Sequence, residues 1–155
     1  KDKNEVISKK LFERFKKNIP YDYEKIEFLS KVGVDDYINL CGSSSVLLDT
    51  LYFGAGNSFH ESMLYGTPTV TFPLDNLKSR IVYGAYKQMK IENPPIVNSI
   101  DEYIERAVEL ANLNEKKMLE TKNYYSENAQ KYLFENYETV KNLEKIFMDI
   151  YDKSS

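Results

Sequence analysis

Val46-Leu47-Leu48-Asp49-Thr50-Leu51-Tyr52-Phe53-Gly54-Ala55-Gly56-Asn57-Ser58, continued eight residues on by Gly66-Thr67-Pro68-Thr69-Val70-Thr71-Phe72, is the stretch that decides the fold. Val46 to Leu48 is an apolar run, as expected of a strand in a parallel sheet covered on both faces. The glycine-containing loop follows it directly, and a helix is predicted to Tyr65, with Gly66 in the helix-ending position. Thr69 to Phe72 is β-branched and aromatic and reads as the next strand, ended by Pro73. Strand, glycine loop, helix and strand in succession predict an α/β fold with a parallel sheet. In such sheets ligands sit beyond the carboxyl ends of the strands, which points to the loop after Leu48.

The rest of the chain extends this pattern in both directions. Upstream, Ile7, Leu11 and Phe15 recur every four residues with Phe12 beside them, predicting a helix that Pro20 stops. Ile26 to Leu29 reads as a strand, and Asp35-Asp36 as the opening of a short helix carrying Tyr37, Ile38 and Leu40, broken by Gly42 and three serines. Downstream, Leu77 to Met89 is predicted helical, Pro94-Pro95 breaks it, and Ile96-Val97 reads as a last short strand. Residues 99–155 read as helical throughout. Ser99-Ile100-Asp101-Glu102 is a capping-box pattern, Glu115 to Gln130 a polar, solvated helix, and Val140, Leu143 and Phe147 one stripe of a final helix.

Composition narrows the function classes. The chain has 155 residues, enough for one domain, with 42% hydrophobic and 29% charged residues, which excludes a wholly disordered chain. No stretch approaches the roughly 18 apolar residues of a membrane span, and Lys1-Asp2-Lys3-Asn4-Glu5 does not read as a signal peptide. One cysteine, Cys41, allows no internal disulfide and no cysteine-based zinc site, and a buried thiol in a reducing cytoplasm is expected. With 21 basic and 24 acidic residues the net charge is −3, so neither a nucleic acid nor a membrane is an expected partner. The 13 Tyr and 8 Phe without Trp read as compositional bias. No Asp-x-Asp motif, a common divalent-metal ligand pattern, is present, in agreement with chemistry that needs no metal and no cofactor.

Two readings of the loop stand on its residues alone. In one, Gly54 and Gly56 allow close backbone approach, Asn57 and Ser58 add donors for an anion such as a diphosphate, and Glu61 can accept hydrogen bonds from ribose hydroxyls. In the other, Ser58-Phe59-His60-Glu61 is a capping box, and both polar residues serve the helix end. His60, the only histidine, is read as structural rather than as a general base, and Arg80 as either a counter-charge for a diphosphate or a partner in a helix-surface ion pair.

A longer pattern bears on that choice. Leu48-Asp49-Thr50, Phe53 to Ser58, Glu61, Gly66 to Thr71 and Pro73, with Leu77-Lys78-Ser79-Arg80 and Met89-Lys90-Ile91 downstream, resemble the C-terminal nucleotide-sugar-binding domain of O-GlcNAc transferase-like glycosyltransferases. The resemblance covers essentially the whole chain. It differs from the animal members, which carry a histidine and threonines in the loop and aspartate at the position of Glu61. The glycine, asparagine and glutamate version is similar to bacterial, tetratricopeptide-repeat-associated members.

The resemblance implies a Rossmann-like three-layer domain, the C-terminal lobe of a GT-B fold, N-terminally incomplete and followed by C-terminal helices. It implies one partial domain over residues 1–155 with a helical section at 99–155. The implied function is donor binding in a metal-independent transfer of GlcNAc or another hexose from UDP to a protein hydroxyl. Gly54, Gly56, Asn57 and Ser58 would lie at the donor diphosphate, Glu61 at the ribose, Tyr37 at the uracil base, and Arg80 beside the diphosphate. The family's catalytic histidine, its phosphate-binding lysine, the first two strands of the domain and the acceptor-binding lobe would lie upstream of Lys1, leaving no catalytic residue in this chain. The implied partners are a UDP-sugar and a protein acceptor through other regions; the missing strands would leave unpaired edges on the Ile26 and Val46 strands, to be repaired by direct pairing of those two strands or by a second copy in a homo-oligomer. A nucleotide-sugar epimerase of the same two-domain shape is an alternative that Gly66-Thr67-Pro68 and Ser79-Arg80 fit less well. A non-catalytic nucleotide-binding or assembly module is another.

Overall fold

The structure, a computed structural model, describes residues 3–19 and 21–154. Pro20, the expected stop of the first helix, lies outside the described residues. The chain divides into two compact units, Lys1–Val34 and Asp35–Ser155.

In the first unit, helix α1 (Lys3–Asn18) follows the predicted four-residue stripe. The expected strand at Ile26 to Leu29 is absent, and those residues carry no regular secondary structure. They form an aromatic contact set instead: Phe28 meets Phe12 and Phe15 edge-on, with ring centroids 6.2 and 5.7 Å apart, and Phe12 meets Tyr23 at 5.6 Å. An apolar run can be satisfied by side-chain packing on a helix as well as by backbone pairing, and here packing prevails.

The second unit carries the predicted parallel sheet in reduced form. Helix α2 (Val34–Ser43) leads to β1 (Leu47–Leu48), helix α3 (Asn57–Met63) and β2 (Thr69–Val70). The two strands pair in parallel, Leu47 opposite Thr69 and Leu48 opposite Val70, and a parallel bridge joins Thr71 to Ile96. The main chain thus links three extended segments in the order β1, β2, 95–97, with Thr71 N–H on the Pro95 carbonyl and Val97 N–H on the Thr71 carbonyl. Leu48 is 57% exposed, so β1 is not covered on both faces as its sequence suggested.

Helix α4 (Ile81–Gln88) is shorter than expected, because Leu77–Ser79 forms a separate 3-10 turn. The Asn76 side chain accepts from the Ser79 amide at 3.0 Å, and Arg80 leaves the helical basin. Helices α5 (Ile100–Ala111), α6 (Glu115–Tyr132) and α7 (Tyr137–Ser154) follow. Ser99 caps α5 by accepting from Glu102 N–H, while the Glu102 carboxylate reaches one residue further back, to Asn98 N–H.

Apolar side chains collect in two clusters. The larger joins Phe59 and Met63 of α3, Val82, Ala85 and Tyr86 of α4, and Tyr125 and Ala129 of α6; the smaller joins Val70 to Val97 and Leu110. Helix α6 is therefore not the solvated helix its polar sequence predicts, since Tyr125 and Ala129 are core residues. The α7 stripe behaves in the opposite way: Val140, Leu143 and Phe147 are 52, 49 and 61% exposed.

Burial pushes the Tyr103 phenol, with help from the nearby Asp49 charge, and the Tyr125 phenol up to about 12 from an ordinary 10.0. The folded chain thus keeps these protons where the unfolded chain has lost them, so their contribution to stability is intact below pH 10 and is withdrawn between pH 10 and about 12. Urea midpoints measured across that window should fall less steeply for Tyr103→Phe than for the unmutated chain.

Candidate functional site at the glycine loop

The loop between β1 and α3 is held at several points. Asp49 directly follows β1 and donates its amide to the Val70 carbonyl at 3.0 Å. Its carboxylate accepts from Ala55 N–H on Oδ1 and from the Thr71 hydroxyl on Oδ2, both at 2.7 Å. The Tyr103 phenol donates to the Asp49 carbonyl at 2.7 Å, and the Thr50 hydroxyl donates to the Phe53 carbonyl. Gly54 N–H donates to the Lys78 carbonyl at 2.7 Å, and a Cβ on Gly54 would stand 2.9 Å from that oxygen. Gly54 thus serves close packing of two backbone segments, and its N–H is already committed.

A side chain at Gly56 would meet only Ile81 Cδ1, at an ordinary contact distance of 4.0 Å. Neither loop glycine has a positive φ; among the described glycines that conformation belongs to Gly66, with φ +67°. Gly56 is the N-cap of α3, two residues earlier than a capping box with Ser58 as the N-cap requires. The Ser58–Glu61 capping box therefore does not form, and both residues lie inside the helix three positions apart, on one face. His60 turns back on its own helix start, with Nδ1 2.9 Å from the Gly56 carbonyl.

The structure brings Tyr37 of α2 to this face. The Ser58 hydroxyl pulls the Tyr37 phenol's pKa down, but burial and the neighbouring Cys41 and Glu61 outweigh it, and the net shift is upward. Cys41 itself is buried. Tyr37, Ser58 and Glu61 thus form one half-buried polar group beside Gly56 and Asn57, although Tyr37 is distant in sequence from the other two.

Arg80 makes other contacts. Its guanidinium stands 4.8 Å over the Tyr83 ring, and Nη1 donates to the Leu74 carbonyl at 3.3 Å. Ile81, the residue after it, is the one that approaches Gly56. The Lys78 ammonium lies 5.8 Å over the Phe53 ring, a second cation at the loop that sequence reasoning does not single out.

The second motif supports the loop from beneath. The Thr67 hydroxyl donates to the Cys41 carbonyl at 2.8 Å, and Tyr86 Oη bonds both the amide and the carbonyl of Thr69, at 2.8 and 2.9 Å. Lys122 of α6 donates to the Gly42 and Ser44 carbonyls at 2.6 and 2.8 Å, and burial lowers its pKa. The Ser43 and Ser44 hydroxyls both donate to the Leu40 carbonyl, so these serines finish α2. Among the described residues no group of three or more His, Cys, Asp or Glu could hold a metal ion, and no helix is long and apolar enough to cross a membrane.

The chain is similar in sequence and in fold to O-GlcNAc transferase-like glycosyltransferases. In sequence it is 26% identical over 129 residues to "Probable UDP-N-acetylglucosamine–peptide N-acetylglucosaminyltransferase SEC" of Arabidopsis thaliana. In fold it matches a mutant of the O-GlcNAc transferase of Thermobaculum terrenum with a TM-score of 0.79 at 17% identity. The matches cover 83% and 97% of this chain but 13% of the plant protein and 29% of the bacterial one, so the chain spans well under a third of either relative. No protein-family model matches the chain.

Proposed function

We propose that this chain is the donor-binding part of a glycosyltransferase that moves a sugar, GlcNAc or another hexose, from UDP to a protein hydroxyl. The observation that carries the reading is the convergence of Tyr37, Ser58 and Glu61 beside Gly56, where a side chain would meet only Ile81, in a loop whose preceding backbone is tied down. In this reading the fold is the C-terminal, Rossmann-like three-layer lobe of a GT-B enzyme. Gly56, Asn57 and Ser58 meet the diphosphate, Glu61 accepts from the ribose hydroxyls, and Tyr37 lies against the uracil. Gly54 shapes the loop through its bond to Lys78, and Arg80 adds positive charge near the α4 start. Hydrogen-bond donors and cationic side chains neutralise the leaving diphosphate without a metal. The general base and the acceptor contacts come from other parts of the full protein, which acts in the cytoplasm.

Glu61 is the residue on which the reading is most exposed to test. A carboxylate bonded to ribose hydroxyls contributes about 1.5–3 kcal/mol, so Glu61→Ala is expected to weaken UDP binding by about tenfold or more. Calorimetric titration with UDP measures this directly. Unchanged affinity in a variant that melts like the unmutated chain would overturn the assignment.

A further inference from the structure

Asp49 belongs to none of the residues assigned to the donor, yet it is 4% exposed and carries a carboxylate. Burying such a group is costly unless its oxygens are bonded, and both are, one to the loop and one to the segment after β2. From these bonds we infer that Asp49 is a positioning residue, holding Gly56, Asn57 and Ser58 in their binding orientation through the Ala55 amide. The inference rests on the donor-site reading of that loop.

Ala55 is the residue between the two loop glycines, and its N–H is held by Asp49 Oδ1 while the preceding Gly54 N–H is held by the Lys78 carbonyl. Two consecutive peptide units are therefore pinned from two different directions. Gly54 and Gly56 stand on either side of Ala55 and have the greatest intrinsic backbone freedom in the loop, so a lost bond at Ala55 releases the segment at its two most pliable points. The Thr71 hydroxyl fixes the carboxylate by donating to Oδ2, and the Tyr103 phenol fixes the Asp49 backbone by donating to its carbonyl. The strand, the segment beyond β2 and α5 thereby act on one loop amide. Asp49 lies one residue past the strand end and six before Ala55, so this role is carried by a side chain that does not itself touch the donor.

The test uses UDP as the probe and compares three variants of the whole chain. Asp49→Asn keeps an oxygen for Ala55 N–H and can donate its amide to the Thr71 hydroxyl; UDP affinity should stay within about threefold. Asp49→Ala should lose about tenfold or more, with faster amide exchange at residues 55–58 and unchanged exchange in α4 and α6. Should Asp49→Ala lose its cooperative melt, Thr71→Val carries the same comparison, with a loss of about three- to tenfold expected. Rapid exchange at Ala55 with UDP affinity unchanged would overturn the inference, and so would an Asn variant as weak as the Ala variant. Absence of UDP binding by the unmutated chain would instead overturn the donor-site reading, while the exchange rates would still show whether Asp49 holds the loop.

Discussion

Gly66→Ala is expected to destabilise the chain by about 2–5 kcal/mol, and two separate costs combine to give that figure. Gly66 has a φ of +67°, a left-handed conformation that costs a residue with a side chain roughly 1–2 kcal/mol. Its Cβ would also overlap the Lys122 carbonyl and stand 2.8 Å from the Ser126 amide nitrogen. Those are backbone atoms of α6 and cannot rotate away, so overpacking adds about 1–3 kcal/mol. For a chain of this size each kcal/mol moves the melting midpoint by about 2–4 °C, so a drop of about 4–20 °C is expected in a circular-dichroism melt. Gly66→Asn separates the two costs: asparagine tolerates the left-handed region but still carries the offending Cβ, so it should keep the overpacking cost of about 1–3 kcal/mol and destabilise less than alanine.

Phe59→Ala should cost about 3–5 kcal/mol, at the upper end for a single core truncation. Phe59 is fully buried, lies edge-on to Tyr86 at 5.2 Å, and is the main apolar anchor of a helix only seven residues long. It also stands between Ser58 and Glu61 in sequence, so a cavity beneath it loosens the face on which the candidate binding residues sit. Urea unfolding should show the loss in the midpoint, with Phe59→Leu recovering more than half of it because most of the volume is kept. Equal loss in both variants would mean that the ring's edge-on contact, not its volume, holds α3.

These two residues differ in how far sequence alone reveals them. Gly66 is legible as a helix terminator, because a glycine before Thr-Pro at the end of a helical stretch fits a left-handed stop and little else. The glycine loop and its flanking strands are legible in the same way, as a strong local pattern. The Ile26 to Leu29 segment misleads, because three apolar residues in four satisfy a strand and a packed extended segment equally well. The capping box misleads because α3 opens two residues early, at Asn57 behind Gly56, which turns Ser58 and Glu61 from cap partners into neighbours of Tyr37. The role of Asp49 is invisible in the motif that contains it. Its partners, Ala55 and Thr71, are 6 and 22 residues away, and only the folded chain puts them on one carboxylate. Its one signal is a charged residue at the end of an apolar strand, where solvation or a specific bond must account for it.

The reach of Lys122 has a consequence for the order in which this unit can be completed. Its ammonium closes the end of α2 across 80 residues of chain, and the same helix supplies the carbonyl that Gly66 packs against. During synthesis from the N-terminus, the segment bearing Tyr37 and the loop bearing Gly56 emerge long before α6, and neither has its final support until that helix arrives. Contacts of such long sequence separation form late, because the intervening loop must first be closed. A nascent chain halted after α4 would therefore hold all the candidate binding residues and still lack the surface that sets them in register.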